Sequence, residues 1–262
     1  MLRPIGIVLL LIPSHSLLAD EYQVDMYQLE IKVANPLSDL TTLPMQFNYH
    51  FDKENDAVQS VVNFQPVIST FSDRWTFTNR FIVPYTTTET TTEIGSTQTS
   101  GFGDFNYQLY MTPRYVSDTI FGGGFMLSMP TGVGDQLSTG KWGVGPTFAV
   151  VSSSPSWTMG ALLYQNWSIA GDDEKKDVNL LTIQPITSYR LGNFWSISPF
   201  NNITFDGTQD DEQWTVPLGL QVSKLFPRPF VPLSTSAGIF SNVIRPDEAP
   251  EWSMKFQLTL IL

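Results

Sequence analysis

The side chains that could do chemistry in this 262-residue chain are few, and their types are restrictive. There is no cysteine, which removes thiolate nucleophiles, thiolate–metal sites, disulfides and a lipid-modified N-terminal cysteine. Once a leader is set aside, His50 is the one histidine left. Beside a serine it could activate a hydroxyl, as a lipid or ester hydrolase built into a barrel wall would require. No G-x-S-x-G elbow accompanies it. Gln46 and Asn48 share its face of an extended segment, so a structural polar rim explains it too. Two acidic triplets, Asp172-Asp173-Glu174 and Asp210-Asp211-Glu212, carry the carboxylates that Ca²⁺ or Mg²⁺ prefers. Neither has the spacing of a calcium loop, and solvated loop carboxylates account for both. Gly140-Lys141 begins like a phosphate loop, but Asp135 stands in place of its first Gly and Trp142 in place of Ser/Thr. These signals predict no catalytic residue, no metal site and no cofactor.

A different set of polar residues repeats with a period of two. Asn48, Asn63, Gln65, Arg80, Gln108, Arg114, Gln221, Lys255 and Gln257 alternate with apolar neighbours, and Gln184 and Arg190 share a face of one segment. In an extended strand such residues point to one side and their neighbours to the other. If the apolar side meets lipid, a charge there near the midplane costs about 2–4 kcal/mol, so Arg80 and Lys255 must face inward. They would then line a water path or pair with carboxylates and close it. Few acidic residues fall mid-strand, which favours a mildly basic interior without ion pairs; a filled structural interior is the alternative.

The elements that must position these residues are twelve strand-like segments bounded by Gly, Pro, Asp, Asn or Ser. They cover 44–51, 58–69, 73–86, 102–115, 119–130, 141–152, 156–170, 177–190, 194–206, 213–225, 230–243 and 251–262. A soluble sandwich would alternate in the same way, but the connections discriminate. Short turns follow the even segments, and longer loops holding most of the 25 acidic residues follow the odd ones. Short periplasmic turns and long external loops mark an outer-membrane barrel. The predicted fold is therefore all-β, a transmembrane antiparallel barrel of about twelve strands with both termini in the periplasm. The tryptophans agree: Trp75, Trp157 and Trp195 fall at the periplasmic ends, and Trp142, Trp167, Trp214 and Trp252 at the outer ends, as two aromatic girdles. Gln165 fits badly, on the lipid side with Trp157 and Trp167, and predicts a bulge or an end effect there.

The chain's start reads as a secretory signal over 1–19, with Arg3, an apolar run from Ile5 to Ile12, and Ala19 at the cut. Residues 20–43 form a periplasmic N-terminal segment. In it Asp25 could cap a short helix over Met26, Leu29 and Val33, lying on the mouth or entering the lumen as a partial plug. The barrel domain covers 44–262. The Thr-rich stretch 86–100 reads as a mobile external loop. A net charge of −11 excludes nucleic acid as a partner of a basic surface.

Several phrases carry a further resemblance. Gly140-Lys141-Trp142-Gly143-Val144-Gly145-Pro146-Thr147 is followed by Gly160-Ala161-Leu162 and Trp167-Ser168-Ile169-Ala170-Gly171. Then come Asp177-Val178-Asn179, Gln184-Pro185, Trp214-Thr215-Val216-Pro217-Leu218-Gly219 and Arg245-Pro246-Asp247; Asn35-Pro36 and Gln65-Pro66-Val67-Ile68 precede them. In this order they resemble the outer-membrane transporter family known as "MetA-pathway of phenol degradation". The resemblance runs from about residue 34 to the end. It implies a Gram-negative outer-membrane barrel passing small solutes, with hydrophobic or aromatic compounds as cargo, and supplies no binding residues. The partners expected of such a barrel are outer-membrane lipid and lipopolysaccharide, the barrel-insertion machinery and a small-molecule solute. A hydrolase using His50 and a closed barrel that binds partners through its outer loops are the competing readings.

Overall fold

Alternating strands need two environments, and a single sheet provides them by rolling up on itself. The structure, a computed structural model, describes residues 26–51, 58–92, 95–114, 117–134, 136–228, 231–247 and 249–262. The leader read over 1–19 and the cap at Asp25 lie outside the described residues. The strands are β1 (Thr42–Phe51), β2 (Val58–Phe64), β3 (Val67–Phe71), β4 (Trp75–Thr92), β5 (Gly95–Phe102), β6 (Phe105–Pro113), β7 (Thr119–Met129) and β8 (Lys141–Ser153). They continue with β9 (Trp157–Gly171), β10 (Asn179–Gly192), β11 (Trp195–Phe200), β12 (Ile203–Asp206), β13 (Trp214–Phe226), β14 (Leu233–Ile244) and β15 (Trp252–Ile261). β2 with β3, β5 with β6, and β11 with β12 each make one interrupted wall strand. The result is a closed twelve-stranded antiparallel barrel. Each wall strand pairs with its neighbours in sequence, and the ring closes where β1 meets β15, from Thr42↔Ile261 to Phe51↔Trp252. The Phe51 and Trp252 rings stack at one end of that seam, 3.9 Å apart.

The wall inverts the polarity of a soluble core. Phe121 is 58% exposed and Phe148 59% exposed on its outside, while Gln108 at 1% and Thr147 at 0% are buried inside. A contiguous apolar exterior of this kind marks a surface built for an apolar partner. All seven tryptophans sit near strand ends. Trp75, Trp157 and Trp195 begin β4, β9 and β11, whereas Trp142, Trp167, Trp214 and Trp252 cluster at the opposite rim. Gln165 stays on the outer face, where its amide donates to Asn179 Oδ1 at 2.9 Å. No bulge falls at Gln165 itself; the register shift between β8 and β9 lies further along, between the Gly143↔Ser168 and Trp142↔Ala170 pairs. Asn79, also outward by parity, accepts from Tyr107 Oη at 2.7 Å and donates to the Ile68 carbonyl at 3.1 Å. Both amides are satisfied by neighbours, as a polar group away from water must be.

Two features differ from the sequence reading. The Thr-rich stretch is not a structureless loop. β4 and β5 run on as a hairpin from Tyr85↔Phe102 to Thr92↔Gly95, pairing Thr88 with Thr99 and Thr90 with Thr97. Threonine is β-branched and suits a strand, so low complexity here carries β-propensity rather than a coil signal. The turn placed at 191–193 is a two-residue hairpin with Asn193 at φ 49° and Phe194 at φ 64°. Such turns favour Asn and Gly. A phenyl residue in that conformation is strained, and here its ring meets Tyr27 at a centroid distance of 5.3 Å.

Tyr27 belongs to a helix over residues 26–34. The helix ends where Asn35 Oδ1 accepts the Leu37 amide at 2.9 Å, just before Pro36 would interrupt it. The chain then passes inside the wall. Leu37 packs with Tyr110, Ala149, Val151 and Leu162 of the facing strands, with Ile120 and Ile186 against them. Ser69 Oγ donates to the Ser38 and Leu40 carbonyls at 3.0 and 3.2 Å. Leu37, Ser38 and Leu40 thus contact inward-facing residues of the wall.

Candidate functional site

Two of the three strand interruptions serve the interior, and the third pins a loop at the rim. Pro66 has no N–H to give the ladder. The break it causes between β2 and β3 frees Gln65, whose amide donates to Gln46 Oε1 at 2.9 Å. Gln46 in turn donates to Gln257 Oε1 at 2.8 Å, and Gln257 to Thr259 Oγ1 at 2.9 Å. The break between β11 and β12 places Asn201 and Asn202 in the lumen. The break between β5 and β6 supplies Asp104, whose oxygens accept from Gly132 N, Ser138 Oγ, Thr139 N and Thr139 Oγ1 at 2.7–3.0 Å. Asp104 thereby pins the 131–140 loop. Leu137 of that loop reaches the face of Gly101, where a Cβ would lie 2.8 Å from its Cδ1. Burial alone would push the Asp104 carboxyl up, but these four donors outweigh it and hold it below the usual carboxylate range.

Arg80, from β4, crosses the lumen. Its guanidinium donates to Gln184 Oε1 of β10 at 3.0 Å, to Gln65 Oε1 at 2.6 Å and to Gln108 Oε1 at 3.5 Å. Tyr110 Oη donates to the same Gln108 oxygen at 3.3 Å. In this antiparallel ring β4 and β10 stand on opposite walls, so the Arg80–glutamine bridge divides the interior. An outer cavity of about 520 Å³ lies on the side of Asn48, His50, Asn63 and Asn106. An inner one of about 260 Å³ lies on the side of Glu30, Asn35 and Gln221. Arg80, Gln46, Gln65, Gln184 and Lys255 border both. Lys255 Nζ donates to Asn201 Oδ1 at 3.5 Å and borders the same two cavities as Arg80.

The sequence-predicted interior residues are thus largely brought together. Asn48, Asn63, Gln65, Arg80, Gln108, Gln184, Gln221, Lys255 and Gln257 border one or both cavities. Arg114 and Arg190 do not; each ends at the turn-bearing rim. Arg114 donates to the Ser72 carbonyl at 3.1 Å and lies over Phe71, and Arg190 donates to the Ser154 carbonyl at 2.9 Å. Residues that alternation does not single out are Tyr110, Asn201, Asn202, Asp104 and Glu30, whereas Gln46 shares the inward parity of Asn48 and His50. His50 borders the outer cavity and faces Ser253 across the β1–β15 ladder.

Glu30, on the inner helix, is the one acid bordering either cavity among the described residues. Burial raises its carboxyl above the ordinary value, and Arg190 and Lys224 pull the other way without overcoming it. Neither of its oxygens has a hydrogen-bond partner among the described residues. The acidic triplets of the longer loops are engaged locally. Asp172 Oδ1 accepts the Glu174 amide at 3.0 Å, and Glu212 Oε2 accepts the Asp247 amide at 3.1 Å.

No family model matches the chain, and no curated protein does. The phrases that suggested a transporter family therefore stand on the sequence alone. Among solved structures, an outer membrane channel from Pseudomonas putida F1 is similar, with a TM-score of 0.60 at 16% identity over 86% of this chain and 96% of that one. What they share is the fold. The toluene transporter TodX of Pseudomonas putida aligns at a TM-score of 0.41 and 8% identity, over 87% of this chain and 91% of that one.

Proposed function

We propose that this protein is an outer-membrane channel that passes small solutes by geometry and lumen polarity, without turnover. The observation that carries this reading is the inverted wall: phenylalanines and tryptophans outside, and an amide- and cation-lined, water-accessible interior within a closed ring. An open sheet edge or a polar exterior could not sit in lipid, whereas a closed ring with every strand paired can. The Pseudomonas putida protein of the same fold is an outer membrane channel. With an even number of wall strands both termini lie on one side, the periplasm, where the short turns fall. The acidic outer loops face lipopolysaccharide, and the insertion machinery delivers the chain to the membrane. The sequence phrases favour hydrophobic or aromatic compounds as cargo.

Reconstitution in planar bilayers tests the reading. Discrete conductance steps are expected, with ion selectivity shifted toward cations in Arg80→Glu and Lys255→Glu. Bilayers that stay silent for the wild type and both variants would overturn it. Comparing uptake by deletion and wild-type cells across aromatic and polar nutrients then identifies the cargo.

A further inference from the structure

Two cations reach the outer cavity with no acid to meet them. Among the described residues, Arg80 is held only by amide oxygens, those of Gln65, Gln108 and Gln184, and Lys255 only by that of Asn201. Glu30 borders the inner cavity and faces Arg190 and Lys224 instead, and Asp104 is spent on its own loop. A neutral amide is a weak acceptor for a guanidinium; a carboxylate bonds it about twice as strongly and in a two-pronged geometry. The glutamines therefore hold Arg80 in place while leaving a better acceptor room to replace them. The same cavity also has an apolar stretch, from Val61, Ile82, Met126 and Leu180. Its volume of about 520 Å³ is in the range of small-molecule sites.

We infer that the outer cavity is a binding site for small organic monocarboxylates, the carboxylate bridging Arg80 and Lys255 and the apolar body lying against Met126 and Leu180. This deepens the channel reading by naming the solute class, and it rests on that reading for its physiological meaning. Binding replaces the Gln184 and Gln65 acceptors at Arg80, so an occupied cavity loosens the bridge that divides the lumen.

The test is equilibrium dialysis of the detergent-solubilised barrel, N-terminal segment included, against labelled benzoate, benzyl alcohol and benzylamine. Saturable binding is expected for benzoate alone. It should weaken about tenfold or more in Arg80→Gln and in Lys255→Gln, the loss of a charged hydrogen bond, and stay unchanged in Arg74→Gln, in the short turn between β3 and β4 and outside both cavities. Benzoate held no tighter than benzyl alcohol, or held equally by both lumen variants, would overturn the inference. Heat-modifiable gel mobility verifies that each variant is a closed barrel; should Arg80→Gln fail to fold, Gln184→Ala, which removes a competing acceptor from Arg80, should tighten benzoate binding, and unchanged or weaker binding there would overturn the inference. Bilayer currents run in parallel separate the two readings. Binding without conductance supports the site and counts against passage, while conductance without benzoate binding does the reverse.

Discussion

Single side chains on the outer wall set their own penalties. Tyr107 Oη is the partner that satisfies the Asn79 carbonyl on a face otherwise apolar. Tyr107→Phe leaves that oxygen unpaired, and a barrel less stable by about 1–3 kcal/mol is expected in urea refolding into detergent or lipid. Asn79→Leu together with Tyr107→Phe should recover part of the loss, because the unpaired oxygen is removed while the Ile68 carbonyl forfeits its side-chain donor. Asp104 makes the complementary case at the rim. Its depressed carboxyl means the folded loop binds the proton less well than the unfolded one does. The stability it contributes is whole above the ordinary carboxylate value of 3.8 and is lost as the pH falls through the lower folded value. Proteolysis of the 131–140 loop should accordingly speed up at strongly acidic pH. In Asp104→Asn the loop should be cut readily even at neutral pH. Neither Asp104 nor Asn79 was legible in the sequence, since each depends on a partner tens of residues away that alternation cannot specify.

At the level of elements, the inner segment is the part free to change. Leu37 anchors it among Tyr110, Val151 and Leu162, and Leu37→Ala removes a buried leucine at a cost of about 2–5 kcal/mol. That is enough to release the segment while leaving the wall intact. The expected result is a larger single-channel conductance with unchanged gel mobility; an unaltered conductance would show that the segment does not limit flow. Glu30 adds a pH dependence. Its carboxyl is raised when docked, so the docked segment holds a proton that the released one gives up. Docking is favoured below the ordinary value of 4.5 and loses that advantage as the pH rises through the elevated one. Conductance should rise over that window in the wild type and stay flat in Glu30→Gln. The helix itself was readable from Met26, Leu29 and Val33. Its destination was not, because the residues packed around Leu37 lie on five strands, β6 to β10.

For the molecule as a whole, the strand order was legible because the chain is a simple meander: each hairpin is announced by its own turn residues, and the even count follows. Trp75 and Trp252 at opposite rims should both be quenched by lipids brominated near the headgroup and little by those brominated at the chain ends; protection of either set would show that wall does not meet lipid as drawn. What the sequence could not give is the interior across the ring. Arg80 and Gln184 had inward parity individually, but parity relates a residue to its own strand and not to the opposite wall. Extending the Thr-rich stretch as strands β4 and β5 corrects a compositional inference for the same reason, since Thr88 opposite Thr99 is a pairwise fact.

Because every other strand partner is its neighbour along the chain, only the β1–β15 seam joins segments remote in sequence. Hairpins can form one after another at little entropic cost, but closing that seam must gather the whole length of the polypeptide first. The last rungs to form during biogenesis are therefore those from Thr42 to Phe51. A one-residue slip of β1 there would turn Gln46 and Asn48 toward fat and send Phe47 and Tyr49 into water, so a single ladder governs whether assembly ends correctly.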